Sequence, residues 1–379
     1  MIRLEGVTKR FGPTLAVDHL DLEVPAGELC MLLGPSGSGK TTTMRMINRL
    51  IEPTSGRIYL DDDDVTDVDP VQLRRRVGYV IQQVGLFPHL TVEDNVSTVP
   101  RLLGWDKARV RSRAAEMLEL VGLEPGTFGR RYPAELSGGQ RQRAGVARAL
   151  AADPPVMLMD EPFGALDPIT RERLQNEFLR LQQEVRKTVV FVTHDIEEAV
   201  RMGDRIAVFA EGGKLEQYDT PAQVLGSPAT PFVASFVGAD RGLKRLSVTP
   251  IDASDLERPP LVARSDSVTE ARRTLEAAAS HWAVVVDGVG ALQGWVGEDD
   301  LEGDGRVAER AHRMDAWVPV GASLKQAFSE MLQHDAGWVA VLDGDRYVGV
   351  LTPDLLHTAL RRSVERSAGA PLDASPLRA

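Results

Sequence analysis

One stretch constrains this chain more than any other: Gly34-Pro35-Ser36-Gly37-Ser38-Gly39-Lys40-Thr41-Thr42. It follows the apolar run Leu29 to Leu33 and opens the helix-like segment Thr41 to Leu50. Glycines let the backbone curl so that successive N–H groups point at phosphate oxygens, and the following helix starts there with its positive dipole end. In such a loop the lysine, Lys40, reaches the β- and γ-phosphates, and the hydroxyl of Thr41 holds Mg²⁺. A chance glycine-rich turn would lack the strand before it and the helix after it. Here both flank it, which predicts an α/β domain with this loop at the end of a buried strand.

At 379 residues the chain exceeds one typical domain, so two or three are expected. A formal net charge of −11 argues against nonspecific nucleic-acid binding, which needs a basic surface. Cys30 is the single cysteine, so an internal disulfide is impossible; its place in the apolar run predicts a buried, reduced thiol. Met1-Ile2-Arg3-Leu4-Glu5 carries no charged-then-apolar leader, and no apolar run reaches the ~20 residues that span a bilayer. A membrane role would therefore come through partners.

The other groups are judged by whether they complete the phosphate site. Ile2 to Val7 alternates like a half-exposed strand, and Lys9 to Gly12 reads as a turn carrying Phe11, either a core residue or a stacking platform. Asp61 to Asp64 reads as a solvated hairpin turn, because the like charges repel and no spaced ligand pattern is present. Val77 to Ile81 is a strand with Gln82 at its end, where parallel-sheet proteins place site residues. Val84 to Leu90 is apolar yet broken by Gly85 and Pro88, as in an exposed docking loop. Helical spacing resumes from Asp106 to Val121.

Leu136-Ser137-Gly138-Gly139-Gln140 then precedes the helical pattern Arg141 to Ala152, giving a second helix start with free N–H groups. The strand Val156 to Met159 ends in Asp160-Glu161, followed by Leu166-Asp167-Pro168; another strand, Thr188 to Val192, ends in Thr193-His194-Asp195. Two acids at a strand end fit phosphoryl transfer, one supporting Mg²⁺ and one polarising a water. A histidine beside such a site can donate to the γ-phosphate.

Phe11, the loop, Gln82, Ser137 to Gln140, Asp160-Glu161, Asp167 and His194 occur in the order and approximate spacing of the ATP-binding subunits of ABC transporters, which residues 1–237 resemble. The resemblance implies a P-loop NTPase, with a RecA-like core and a helical subdomain, that hydrolyses ATP with Mg²⁺. It places Phe11 on adenine and Gly34 to Thr42 on the phosphates. It gives Thr41, Gln82 and Asp160 to Mg²⁺ and its waters, Glu161 to the general base, and His194 to the γ-phosphate. Ser137 to Gln140 and Asp167 join the nucleotide site, the former across a homodimer. Membrane permease subunits would dock near Val84 to Leu90, holding the protein at the cytoplasmic face of the membrane and linking it indirectly to a solute-binding protein.

The C-terminal third contains an internal repeat. Ser267-Val268-Thr269-Glu270-Ala271 matches Ser323-Leu324-Lys325-Gln326-Ala327, and Trp282 to Asp287 matches Trp338 to Asp343, each at an offset of 56 residues. Each unit reads as helix, strand, turn, strand, helix, and neither half could readily bury its sheet alone. The expected division is a linker at 238–260, repeats at 261–305 and 306–366, and a disordered tail at 367–379.

The repeats resemble a tandem pair of α/β CBS modules, which implies a cleft for an adenine-containing or cyclic dinucleotide ligand, ionic-strength sensing, or dimerisation alone. Gly349 to Asp354 resembles the ribose-binding pattern, with Thr352 and Asp354 as contacts, whereas the first repeat has Gly297 in the threonine's place. An ATPase domain with such a pair resembles the energising subunits of importers of quaternary-amine osmoprotectants: glycine betaine, carnitine, choline or proline. Rival readings are an importer of another solute, such as a sugar or phosphate, and a soluble ABC ATPase.

Overall fold

The computed structural model describes residues 1–81, 85–164 and 166–368, and the backbone alone for 365–368. Gln82, Val84 and residues 369–379 of the expected tail lie outside them. The chain divides into two compact units: 1–224 with 228–238, and 225–227 with the residues from 239 onward.

The first unit opens with β1 (Ile2–Phe11), β2 (Thr14–Val24) and β3 (Leu29–Leu33), then α1 (Lys40–Ile47), β4 (Ser55–Leu60), β5 (Asp63–Asp64), α2 (Pro70–Arg75) and β6 (Val77–Val80). A helical stretch follows: α3 (Val92–Val96), α4 (Thr98–Leu102), α5 (Lys107–Leu120), α6 (Pro125–Phe128) and α7 (Gly138–Leu150). The chain then returns to the sheet with β7 (Val156–Asp160), α8 (Pro168–Val185), β8 (Thr188–Thr193), α9 (Ile196–Met202), β9 (Arg205–Ala210) and β10 (Lys214–Asp219), ending in α10 (Pro221–Gly226) and α11 (Pro231–Val237).

Two sheets build this unit. One is antiparallel in the order β2-β1-β4-β5; the other runs β10-β9-β3-β8-β7-β6, parallel except for β10. Every residue of β3 and β8 is buried, which is why both read as unbroken apolar runs rather than alternating ones. Ile2, Leu4, Leu20 and Leu22 of the antiparallel sheet share one core with Cys30, Leu32, Val190 and Val192 of the parallel one. Burial pushes the Cys30 thiol up to about 12, so it stays protonated. β1 extends through Lys9 and Arg10 to Phe11 instead of turning there, because Arg10 and Phe11 pair with Leu15 and Thr14. At the acidic turn, Asp61 pairs with the Met1 amino group and Asp63 with Arg76, each at 2.7 Å.

The second unit contains α12 (Arg241–Val248), β11 (Leu261–Ala263), α13 (Val268–Ala278), β12 (Trp282–Val286), β13 (Leu292–Gly297), β14 (Trp317–Pro319), α14 (Leu324–Gln333), β15 (Val339–Asp343), β16 (Arg346–Leu351) and α15 (Pro353–Ala368). Each repeat forms a three-stranded sheet, its first pair parallel and its second antiparallel. The two hairpins exchange hydrogen bonds: Leu292 N–H donates to Asp345 O at 3.3 Å, and Tyr347 N–H donates to Gly290 O at 3.0 Å. Trp282 and Trp338, equivalent by the repeat, stack at 4.5 Å. The two repeats thus meet through equivalent elements, hairpin against hairpin and Trp282 against Trp338.

The structure differs from the sequence expectation in two places here. The stretch 238–260, expected as a linker, carries α12, and its Leu246 and Ile251 are buried in the core of the second repeat. The first repeat closes with a single 3-10 turn, Glu298–Asp300, in place of a helix. Thr352 accepts the Leu355 N–H at 3.3 Å and caps α15, whereas Gly297 has no hydroxyl to do so, and the corresponding start is held only by Asp300 Oδ2 accepting the Gly297 N–H at 2.8 Å. Gly303 and Gly305, both at positive φ, then turn the chain away.

Candidate functional site: a phosphate loop at the ends of parallel strands

The site forms where β3, β8 and β7 end side by side. Leu33 pairs with Thr193, and Asp160 pairs with Val192, so the loop after Leu33, the Asp160-Glu161 acids and His194 emerge together. This is the edge at which open parallel sheets bind ligands. A Cβ on Gly39, at φ +86°, would collide with the carbonyl oxygen of Ala16. Only glycine therefore lets the loop lie against β2 and turn into α1.

Lys40 is only 6% exposed. Its Nζ donates to Gly34 O at 2.7 Å and Pro35 O at 2.8 Å, with Ser38 Oγ at 3.4 Å. Burial lowers its ammonium from the ordinary lysine value, while Glu161 and Asp160 act in the opposite direction. Thr41 Oγ1 donates to Asp160 Oδ1 at 3.0 Å. Burial also pushes the Asp160 carboxyl above the usual range; the Thr41 bond opposes that rise and Glu161 adds to it. One hydroxyl and one carboxylate make a hard-oxygen donor set of the kind Mg²⁺ takes, and Arg45 and Lys40 only partly offset the rise in the half-buried carboxyl, so a further cation would be favoured there.

Glu161 sits at φ 42°, a left-handed conformation uncommon outside glycine, and its Oε1 lies 3.3 Å from His194 Nδ1. Behind His194, Glu198 is 7% exposed and accepts from Gln175 Nε2 at 2.9 Å. Burial raises its carboxyl as well. Glu198 shares a small cavity with Glu161, Arg171 and His194. Sequence reading missed Glu198 because an acid in the first turn of a helix ordinarily reads as an exposed dipole partner.

The remaining candidates lie around this centre. Phe11 is half-exposed at the end of β1, with Lys9 Nζ 4.9 Å above its ring. Ser137 caps α7 through a reciprocal pair with Gln140: Gln140 N–H donates to Ser137 Oγ at 3.2 Å, and Ser137 N–H donates to Gln140 Oε1 at 2.9 Å. A Cβ on Gly139 would touch Thr170 and Leu174, so this helix start lies against the first turns of α8. Asp167 caps α8 by accepting from Thr170 N–H at 3.0 Å, and that backbone bond holds its carboxyl below the usual range. Phe87, in the part of the apolar loop the structure describes, is exposed. Buried Asn95, which sequence reading also missed, clamps that loop by accepting from Phe87 N–H and donating to the carbonyls of Phe87, Leu90 and Thr91. In the other unit, Thr352 caps α15 and Asp354 is exposed in its first turn.

A phosphate loop on a parallel sheet, facing a strand-end acid pair and a histidine, defines a P-loop ATPase of the ATP-binding-cassette class. Residues 17–164 match the ABC transporter family, and residues 313–361 match the CBS domain. The osmoprotectant import ATP-binding protein OsmV of Salmonella typhimurium is 46% identical over 97% of this chain and 98% of its own length. The glycine betaine/carnitine/choline transport ATP-binding protein OpuCA of Bacillus subtilis is 43% identical over 93% of this chain and 94% of its own. Among solved structures, a dimeric post-hydrolysis state of the ATP-binding cassette MJ0796, bound to ADP and Pi, is 39% identical with a TM-score of 0.52, covering 58% of this chain and 99% of that one. The chain belongs to the family of import ATP-binding proteins of ABC transporters that carry a C-terminal CBS region. It is an ATP-binding, ATP-hydrolysing component of such a system. Among the described residues no helix is long and apolar enough to cross a membrane.

Proposed function

We propose that this protein energises import of a quaternary-amine osmoprotectant of the glycine betaine, carnitine, choline or proline type, working as a homodimer beneath membrane permease subunits at the cytoplasmic face of the membrane. A solute-binding protein would deliver the cargo on the far side. The observation that carries the catalytic part is the 3.0 Å bond from Thr41 to Asp160, which ties the phosphate loop to the strand-end acids.

In this reading Phe11 stacks on the adenine, and the N–H groups of Gly34 to Gly39, with Lys40, Thr41 and Thr42, hold the phosphates. Thr41, Asp160 and Gln82 would hold Mg²⁺ and its waters, and the ion would supply charge neutralisation for phosphoryl transfer. Glu161 takes a proton from the attacking water. His194, 3.3 Å from Glu161, fixes that carboxylate and donates to the γ-phosphate. The start of α7, bearing Ser137 to Gln140, faces the nucleotide held by the partner subunit, and Asp167 at the start of α8 joins the nucleotide site. Closure then completes two sites, and hydrolysis releases them. The exposed apolar loop around Phe87 is the docking element for the permease, and Thr352 and Asp354 bind the ribose of an adenine-containing regulator.

The test is uptake into proteoliposomes containing the cognate membrane and binding proteins, with betaine, choline, carnitine and proline offered in turn. Uptake of at least one, dependent on ATP and lost in Glu161→Gln, is expected. Transport of a sugar or phosphate alone would overturn the solute assignment, and copurification without any multi-span membrane protein would overturn the transport assignment.

A further inference from the structure

Away from the phosphate site, the helical stretch and the core helix α8 border a half-open pocket of ≈ 420 Å³. This lies within the range of small-molecule pockets, roughly 300–1,000 Å³. Val121 and Val146 line it on one side; Phe163, Leu174, Phe178 and Leu181 line it on the other. Phe163 and Phe178 meet edge to face at 6.5 Å, presenting a preformed aromatic wall.

Gln142, on α7, also lines this cavity; it is 4% exposed, and its Nε2 has no hydrogen-bond partner. Next to it the buried Nε of Arg143 likewise lacks an acceptor, although the Nη1 of that guanidinium reaches the carbonyls of Val121 and Gly122. Arg143 Nη1 also lies 3.7 Å from Glu177 Oε2, but a buried donor left unmade is costly, so an acceptor brought to Gln142 Nε2 would be favoured. A cationic group, donor or not, offers no lone pair to accept from Gln142 Nε2. An anion would meet Glu119, Glu177 and Glu184 at the walls, against Arg143 and Arg180. The chemistry that remains is a neutral acceptor on an apolar body.

We propose that this cavity is a binding site for a small, neutral, largely aromatic molecule that presents a carbonyl oxygen to Gln142. The site joins α7, whose start carries Ser137 to Gln140, to α8, whose start is capped by Asp167. A bound molecule would therefore brace the two helices against each other.

The probe is acetophenone, with ethylbenzene as its counterpart lacking the carbonyl, titrated onto the full chain by calorimetry and ligand-observed NMR. Saturable one-to-one binding of acetophenone is expected. Val146→Phe, which fills the cavity, should abolish it. Gln142→Leu should weaken acetophenone about three- to tenfold, the loss of one hydrogen bond, and leave ethylbenzene unchanged. Retained ATP binding shows that each variant is folded. No saturable binding to the wild-type chain, binding that survives Val146→Phe, or acetophenone affinity that Gln142→Leu leaves untouched would each overturn the proposal.

Discussion

Asp160→Asn should make the empty protein more stable and the loaded protein less so. Asp160 lies half-buried at the end of β7, where burial is the largest influence on its carboxyl and favours the neutral form; the Thr41 hydroxyl offsets part of this and Glu161 adds to it. Asparagine keeps the shape and can still accept from Thr41, but carries no charge to desolvate. Relieving a site of this kind ordinarily adds about 0.5–2 kcal/mol. In a unit of this size each kcal/mol moves the melting temperature by roughly 2–4 °C. Nucleotide reverses the order. At ~100 times its dissociation constant Mg²⁺–ATP adds about 2.7 kcal/mol to the wild-type protein, and the variant, without the carboxylate proposed to hold the metal, should gain far less. The pH dependence has a definite sign. A carboxyl whose folded value is raised costs nothing below the ordinary value near ~3.9 and its full penalty above the raised one. The variant's advantage should therefore be complete at neutral pH and shrink as pH falls towards 4. Calorimetric melting with and without Mg²⁺–ATP, from pH 4 to 8, reads both effects. An empty variant less stable than wild type at neutral pH, or an advantage that grows in acid, would refute the reasoning.

Glu161→Gln keeps the side chain's size and leaves the backbone as it is, so folding and ATP binding should persist while turnover falls about 10²- to 10⁴-fold, or roughly 3–5 kcal/mol of barrier. Single-turnover hydrolysis measures this, and ordinary rates would remove Glu161 from its role. Lys40→Ala removes a buried ammonium whose charge-assisted bonds to phosphate are worth about 1.5–3 kcal/mol, so ATP affinity should fall roughly ten- to a hundredfold in a fluorescent-nucleotide titration. Unchanged affinity would contradict the phosphate-cradle argument. Asp354→Ala should blunt regulation by an adenine-containing ligand and spare basal ATPase; a wild-type chain that takes up no such ligand in calorimetry would point instead to ionic-strength sensing or dimerisation.

Much of the architecture was legible because the physics producing it is local in sequence. The apolar runs of β3, β7 and β8 announce strands buried on both faces, and the glycine loop between β3 and α1 announces its own conformation. The offset of 56 residues pairs Trp282 with Trp338, and the folded chain stacks them at 4.5 Å. What escaped was decided at a distance. Lys9 to Gly12 carries turn-forming residues, yet pairing with β2 holds the strand through Phe11. The stretch 238–260 has a linker's composition, but its Leu246 and Ile251 fill a core whose other members begin at Ala316. The last helix of the first repeat failed for a readable reason that periodicity does not weigh, namely a glycine at the capping position and two more at positive φ just beyond.

The site shows the same division, and it changes what the glycine loop means. Its residue types could be read in order, but their joining depends on register: Leu33 opposite Thr193 and Asp160 opposite Val192 are what set Thr41 3.0 Å from Asp160 and bring Glu161 to His194. Lys40 directs donors to the carbonyls of Gly34 and Pro35, which holds its ammonium against the loop. The other helix start is satisfied differently. Ser137 and Gln140 cap each other, and the N–H groups of Gly138 and Gly139 have no acceptor within α7. One chain thus carries a phosphate loop with its own lysine, hydroxyl and acids, and a second anion-ready helix start built on a different element. In the proposed dimer a nucleotide site would take both, the second supplied by the partner. The loop is then one jaw of a clamp whose closure depends on where α7 and α8 sit, which is why a molecule lodged between those two helices would bear on it.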